Sequence, residues 1–456
     1  VNASKRLSVQ DLNLVSGSLD ISDAQFTITG ALTGSGWLAT NENTELTIET
    51  KAGLNLPLPL HGTRIRILRI DIDSASSVLL GTNISVLKAL ELQRGSLVLN
   101  GFDLITHANI QYGGSGVVSS TDKSNIIITG AGGWTRTLRM HSVMNTINNL
   151  TIAIGNTYTV NVNTNVKISG MLRLLGGMIA LTDTMTIGRN GSIVQSADSS
   201  YIRPYLGALA MYVEPGVPKK YPVGHLYTSL PTTLTLHEGA EARYGYVTVL
   251  SDFLYYSGGT YAFRGTDRTH KLKTTPTVHS TWDIGFDTRS TLMYDLDLEW
   301  SVGEEVNGFD RTQAYIGRYT GKSYDVGPIT AATKVGDSTY SLERTGIDSG
   351  GRFTILDLKT VAVFDYNIND YNINDDNLEN NVRLYPSPVE DVLHVDHVGT
   401  GAPYLIEVID THGRIVLSTT ATGTTTGLSV GNLASGVYYV RLHNAHSTTS
   451  KRFVKL

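Results

Sequence analysis

From about residue 8 to residue 200 the chain is a succession of short segments in which apolar and polar residues alternate, each bounded by Gly, Asn or Asp. Ala24-Gln25-Phe26-Thr27-Ile28-Thr29-Gly30, Thr44 to Glu49 and Arg64 to Ile72 are examples. A period of two places alternate side chains on opposite faces of an extended strand, so each segment buries one face and wets the other. No stretch of about 12 residues carries a convincing helical period, which leaves an all-β class. An internal echo adds a second constraint. Gly95-Ser96-Leu97-Val98-Leu99-Asn100, followed by Phe102 to Thr106, recurs as Gly177-Met178-Ile179-Ala180-Leu181-Thr182, followed by Thr184 to Gly188. Strand units that cannot bury a face alone must stack on their neighbours, so residues 1–205 are expected to form a β-solenoid of the parallel β-helix kind, with stacked β-sandwiches as the second reading.

Composition agrees with that class. Hydrophobic residues make up 41% of the 456 and charged residues only 17%, so the chain is globular. The 46 Gly and 23 Tyr, with abundant Thr, Ser, Asn, Ile and Val, favour strands and tight turns. The length allows ~two to four cores. A net charge of −5 and no Lys/Arg run longer than two leave no basic stripe for nucleic acid. No apolar run approaches the ~18 residues of a spanning helix. Cysteine is absent, which removes disulfides, thiolate metal sites and thiol nucleophiles. The start, Val1-Asn2-Ala3-Ser4, has neither an initiator Met nor a signal-peptide pattern, as a removed leader or a shortened chain would each explain.

The pattern changes at Tyr212 to Gly224, where Pro215, Pro218 and Pro222 interrupt any ladder because proline donates no backbone hydrogen bond. Longer, more aromatic strands follow, and residues 206–364 are expected to form a β-sandwich. Residues 365–380 are an Asn/Asp-rich linker in which Tyr-Asn-Ile-Asn-Asp occurs twice in tandem. From Asn381 a compact set of strands begins, expected to make a small Ig-like β-sandwich over residues 381–456.

This last segment resembles the type A C-terminal sorting domain of the type IX secretion system of Bacteroidota. Tyr385-Pro386-Ser387-Pro388 stands where the family opens with Tyr-Pro-Asn-Pro, and Leu393-His394-Val395 supplies the Leu-x-Val strand. Gly413 fills the hairpin turn, and Leu433-Ala434-Ser435-Gly436-Val437-Tyr438-Tyr439-Val440 the Leu-x-x-Gly-x-Tyr-x-Val strand. Lys451 and Lys455 lie in the terminal strand. Ser387 departs from the usual Asn; both side chains can make the local turn bond. The resemblance implies export across the outer membrane to the cell surface. It also implies recognition by the secretion machinery (translocon and shuttle/attachment components), and often removal of the domain with attachment of the cargo to lipopolysaccharide. Lys220 to Gly224 with Leu230 to Leu236 is similar to a stretch common in large surface proteins exported this way.

Candidate chemistry is sparse. Asp295, Asp297 and Glu299 alternate with Tyr294, Leu296, Leu298 and Trp300, which puts three acids on one strand face. That is either a calcium candidate or, the favoured reading, the solvated outer face of a strand; Asp71 and Asp73 repeat the pattern. Residues 365–377 could chelate calcium but lack the Gly hinge and closing Glu of a calcium loop, and a plain linker is favoured. His394 and His397 fall on opposite strand faces and cannot share one ion. No Gly-x-Ser-x-Gly, His-Glu-x-x-His or Walker motif is present. The expectation is therefore a non-enzymatic surface protein, structural or adhesive, with no cofactor and with surface glycans or other surface proteins as contacts. The alternative is an extracellular protein that binds or degrades carbohydrate.

Overall fold

The computed structural model describes residues 5–51, 53–54, 56–130, 136–204, 206–225, 228–250, 276–287, 292–319, 324–358, 382–385, 389–397, 404–410, 414–421, 425–443 and 448–455. The chain divides into two compact units, Val1–Phe364 and Asp365–Leu456. Both are built from strands, and among the described residues no helix is long and apolar enough to cross a membrane.

The first unit begins as a parallel β-solenoid of about nine turns. One face is a sheet whose strands stack in chain order: Lys5–Val9, Ala24–Ile28, Glu45–Ile48, Arg64–Asp71, Ile84–Arg94, Leu104–Thr106, Asn125–Gly130, Asn149–Ile154, Met171–Gly176 and Ser192–Gln195. Successive partners lie between 19 residues apart (Lys5 opposite Ala24) and 24 apart (Asn125 opposite Asn149). A second face carries Ser77–Leu79, Ser96–Val98, Val117–Ser120, Met140–Ile147, Val166–Ile168, Met185–Ile187 and Leu209–Val213. A third carries Arg136–Leu138, Thr159–Val162, Met178–Leu181 and Ile202–Arg203. The alternation visible in the sequence is the cause. Phe26, Leu46, Leu68 and Leu90 stand in register on consecutive turns and are all fully buried. Each such side chain contributes roughly 2 kcal/mol of burial.

The sequence echo relates strands on different faces. Ser96–Val98 lies on the second face and Met178–Leu181 on the third. What the two copies share is the corner before them. Gly95 and Gly177 both take left-handed φ, 78° and 79°, and a Cβ on either would collide with an isoleucine side chain of the turn below, Ile72 or Ile154. Only glycine meets both demands without strain.

At Leu209–Val213 the sense of pairing changes. That strand is parallel to Met185–Ile187 on one side and antiparallel to Arg243–Leu250 on the other. The same sheet continues antiparallel through Thr281–Phe286 and Gly351–Asp357. A second antiparallel sheet holds Lys219–Tyr221, Thr232–Leu236, Tyr294–Ser301 and Thr339–Ile347. Trp282, Trp300 and Phe353 from these sheets are fully buried in the cluster that also contains the solenoid core, so apolar packing is continuous from Leu14 to Ile355.

The second unit has two antiparallel sheets. Val382–Tyr385, Val392–His397 and Thr425–Ser429 form one, and Ile415–Ala421, Tyr404–Asp410, Gly436–His443 and Thr448–Lys455 the other. Leu393, Val395, Ile406, Val408, Leu428, Val440, Leu442 and Phe453 close a single core between them.

Candidate functional site: a sorting unit and a cleft on the solenoid

The motif residues of the second unit are mostly its core. Leu393 and Val395 are fully buried, with Leu393 opposite Leu428 across the sheet. Leu433 packs half-buried against the same cluster. Gly436 opens its strand opposite Lys455, and Val440, fully buried, lies opposite Lys451. Tyr438 stacks on Phe453 with centroids 5.7 Å apart, and its hydroxyl donates to the Ala434 carbonyl at 2.9 Å. Lys455 is only 8% exposed and bridges to Val389. Tyr385 ends the first strand of the unit. Pro386, Pro388, Gly413 and the 365–380 linker lie outside the described residues. Two features were not anticipated from sequence. Arg441 donates from Nε and Nη2 to one oxygen of the nearly buried Glu407 at 2.9 and 2.6 Å, and Arg414 closes its hairpin on Asp410 at 2.7 Å.

Asp295, Asp297 and Glu299 do share one face of Tyr294–Ser301, but each carboxylate has its own surroundings. Asp295 accepts from His237 Nε2 at 2.6 Å and from the Gly346 amide at 2.9 Å. Glu299 pairs with Lys220 at 2.5 Å. Asp297 lies between Thr233 and Glu343 in register, and its Oδ1 is buried without a hydrogen-bond partner. Burial, then the neighbouring Glu299 and Glu343, push the Asp297 carboxyl up to about 6. Asp71 pairs with Arg94 at 2.6 Å. Among the described residues no group of three His, Asp or Glu is arranged to hold a metal ion.

Sequence inspection missed a cluster and a cleft. In the cluster His225 Nε2 lies 3.0 Å from both Ser280 Oγ and Glu304 Oε2, and Thr228 donates to Glu304 Oε1 at 2.8 Å. Glu304 and Ser280 compete for the same ring nitrogen, so this is a packing network, not a relay in which serine and acid take opposite nitrogens. Ser280 is fully buried, which also removes it as a nucleophile.

The cleft, about 610 Å³, lies on the second face of the solenoid. Its floor is formed by Ser77, Ser96, Val98, Val117 and Ser119 from three successive strands, and Ser96 and Ser119 are hydrogen-bonded to each other. Its wall is a bulge. Two steps along one strand, Val118 to Ser120, are matched by five along the next, Met140 to Asn145. His141 folds the bulge back by accepting the Val143 and Met144 amides on Nδ1 at 3.1 and 3.2 Å. Arg139 is held at the wall by the Gly114 carbonyl at 3.1 Å and by the Tyr112 ring, 5.0 Å from its guanidinium carbon. The usable signal was a polar residue recurring at about turn spacing, Ser77, Ser96, Ser119, Ser142, Thr164 and Asp183, which all line the cleft although Ser96 stands opposite Val117 and Ser119 opposite Val98.

Residues 383–456 match the family of secretion-system C-terminal sorting domains. The chain is thus cargo of the type IX secretion system, exported across the outer membrane to the cell surface or extracellular space by interaction with that machinery. Among solved structures, one reported as PorZ, an essential bacterial surface component of the type IX system of Porphyromonas gingivalis, is similar at 14% identity, with a TM-score of 0.16. The similarity covers 50% of this chain and 37% of that one, and at that score it carries no weight. No curated protein matches.

Proposed function

We propose that this is a non-enzymatic surface protein whose first unit is a structural and adhesive element presented outside the cell after delivery by the sorting unit. The observation that carries the reading is the repeating solenoid, several turns long, that precedes a sorting unit in one chain. The antiparallel sheets of residues 206–364 act in this reading as a β-sandwich that closes one end of the solenoid core. The translocon and the shuttle or attachment components are the export partners, and glycans or other surface proteins are the outer contacts. Hydrolysis of glycosidic bonds commonly uses a pair of carboxylates about 5–10 Å apart. The cleft lining holds a single carboxylate, Asp183, which supports binding over cleavage.

The experiment is a comparison of wild-type cells with a deletion strain for attachment to glycan-coated surfaces and for release of reducing sugar. Loss of attachment with unchanged sugar release is expected. Loss of sugar release on deletion, restored by the purified chain, would replace the adhesive reading with the degradative one.

A further inference from the structure

We propose that the outer face of the four-stranded sheet in the second unit is where the type IX secretion machinery docks, through an uncharged, apolar contact. This concerns delivery alone and does not depend on the adhesive reading above. The premise is where the family motif lies. Leu393, Val395 and Val440 are fully buried and Tyr438 nearly so, so a partner meeting the folded unit does not touch them. What it meets is the surface that those core positions hold in place. The family match supplies the occupant, since a unit of this kind interacts with the secretion machinery.

One row of that surface is apolar. Ile409 stands directly opposite Ile415 on one neighbouring strand and Tyr439 on the other, so the three form a contiguous row across three strands. The row lies on the face away from the core, because Ile406 and Val408 on the central strand are core residues and alternate side chains take opposite faces. Ile415 is 50% exposed and Tyr439 41%, and Val416, the extra residue of the bulge beside them, is exposed as well. Among the described residues of the unit one other large apolar side chain is comparably exposed, Val392, and it belongs to the other sheet. The next row is polar, with Ser418, Glu407 and Arg441 side by side, and Arg441 closes on Glu407. Arg414 closes on Asp410 in the same way. Among the described side chains these charges are thus paired within the unit. A charged partner gains little from ion pairs already made, whereas an apolar one buries Ile415, Val416 and Tyr439. An exposed aromatic within such a patch is a usual anchor of a protein contact.

The test follows delivery of the full chain in a type IX host by protease digestion on intact cells. Ile415→Glu combined with Tyr439→Glu puts two charges into the apolar row and is expected to lower delivery at least about tenfold, with the chain retained inside the envelope. Val392→Glu, the same change on the other sheet, is expected to be delivered like wild type. Unchanged unfolding midpoints of the purified chains check that the variants are folded. Where the double glutamate variant is not, Ile415→Thr with Tyr439→Thr, which keeps strand-favouring residues, takes its place, with a loss of at least about threefold expected. Delivery of the folded double variant at the wild-type level overturns the proposal and points to machinery that reads the C-terminal chain before it folds. An equal loss in Val392→Glu also overturns it, because charge anywhere on the unit would then suffice. A chain ended at Phe364 tests separately whether the unit directs export at all.

Discussion

Asn125 sits in the middle of a polar ladder that climbs one corner of the solenoid. Its side-chain oxygen accepts from the Asn149 amide at 3.1 Å, Asn149 Nδ2 at 2.7 Å and Asn148 Nδ2 at 3.2 Å. Its own Nδ2 donates to Asp103 at 2.8 Å, while Asn83 below and Asn149 above accept backbone amides of the next turn. Removing a partner leaves shielded donors unpaired, so Asn125→Ala is expected to lower the stability of the first unit by about 2 kcal/mol in urea unfolding. Gly177→Ala is expected to cost more, about 3 kcal/mol, because a left-handed φ of 79° and the Ile154 side chain both oppose a Cβ. Asp297 acts in the opposite direction. Its carboxyl is pushed up to about 6, so the folded state favours the protonated form, and stability falls as pH rises from the unfolded value toward that point. Asp297→Asn should therefore stabilise the unit by roughly 1 kcal/mol at about pH 8, after allowing for solvent screening, and hardly at all near pH 4. Equal stabilisation at both values would contradict this assignment.

At the scale of elements, alternation made the strands and their buried faces legible, because a period of two has a single structural meaning once one face is apolar. Phe26, Ile28, Leu46 and Ile48 could all be placed inside from sequence. The assignment of strands to faces was not legible. The same corner glycine precedes a second-face strand at Gly95 and a third-face strand at Gly177, and each is required by an isoleucine roughly one turn earlier, a contact no local pattern records. The cleft was hidden for a related reason. Its hydroxyls recur at turn spacing, but the wall comes from extra residues in one strand, and such a bulge has no signature beyond a lengthened repeat. The sorting motif was the most readable part, since Leu393, Val395, Tyr438 and Val440 are core positions of a small unit in which spacing dictates register. Between strands of the antiparallel region, Arg344 makes a two-pronged pair with Asp325, Nη1 to Oδ1 at 2.6 Å and Nη2 to Oδ2 at 2.7 Å. Burial would raise the Asp325 carboxyl, but these bonds and the Arg318 amide hold it below the usual carboxylate range. Arg344→Leu should cost roughly 2–3 kcal/mol by leaving that carboxylate partly buried and unpaired, whereas the double variant with Asp325→Leu should recover part of the loss. A double variant no more stable than Arg344→Leu alone would show that the pair is not coupled.

For the whole molecule, division of labour follows from the two units. The first has its own continuous core, from Leu14 to Ile355, and the second has a separate core that includes the sorting motif. Removing the second unit should therefore abolish delivery without unfolding the first. The most direct measurement is protease accessibility on intact cells of a type IX host, comparing the full chain with one ended at Phe364. The full chain is predicted to be digested from outside, while the shortened chain stays protected inside the cell envelope yet shows cooperative unfolding once purified. A shortened chain that reaches the surface as efficiently as the full one would contradict the central claim that residues 383–456 direct export.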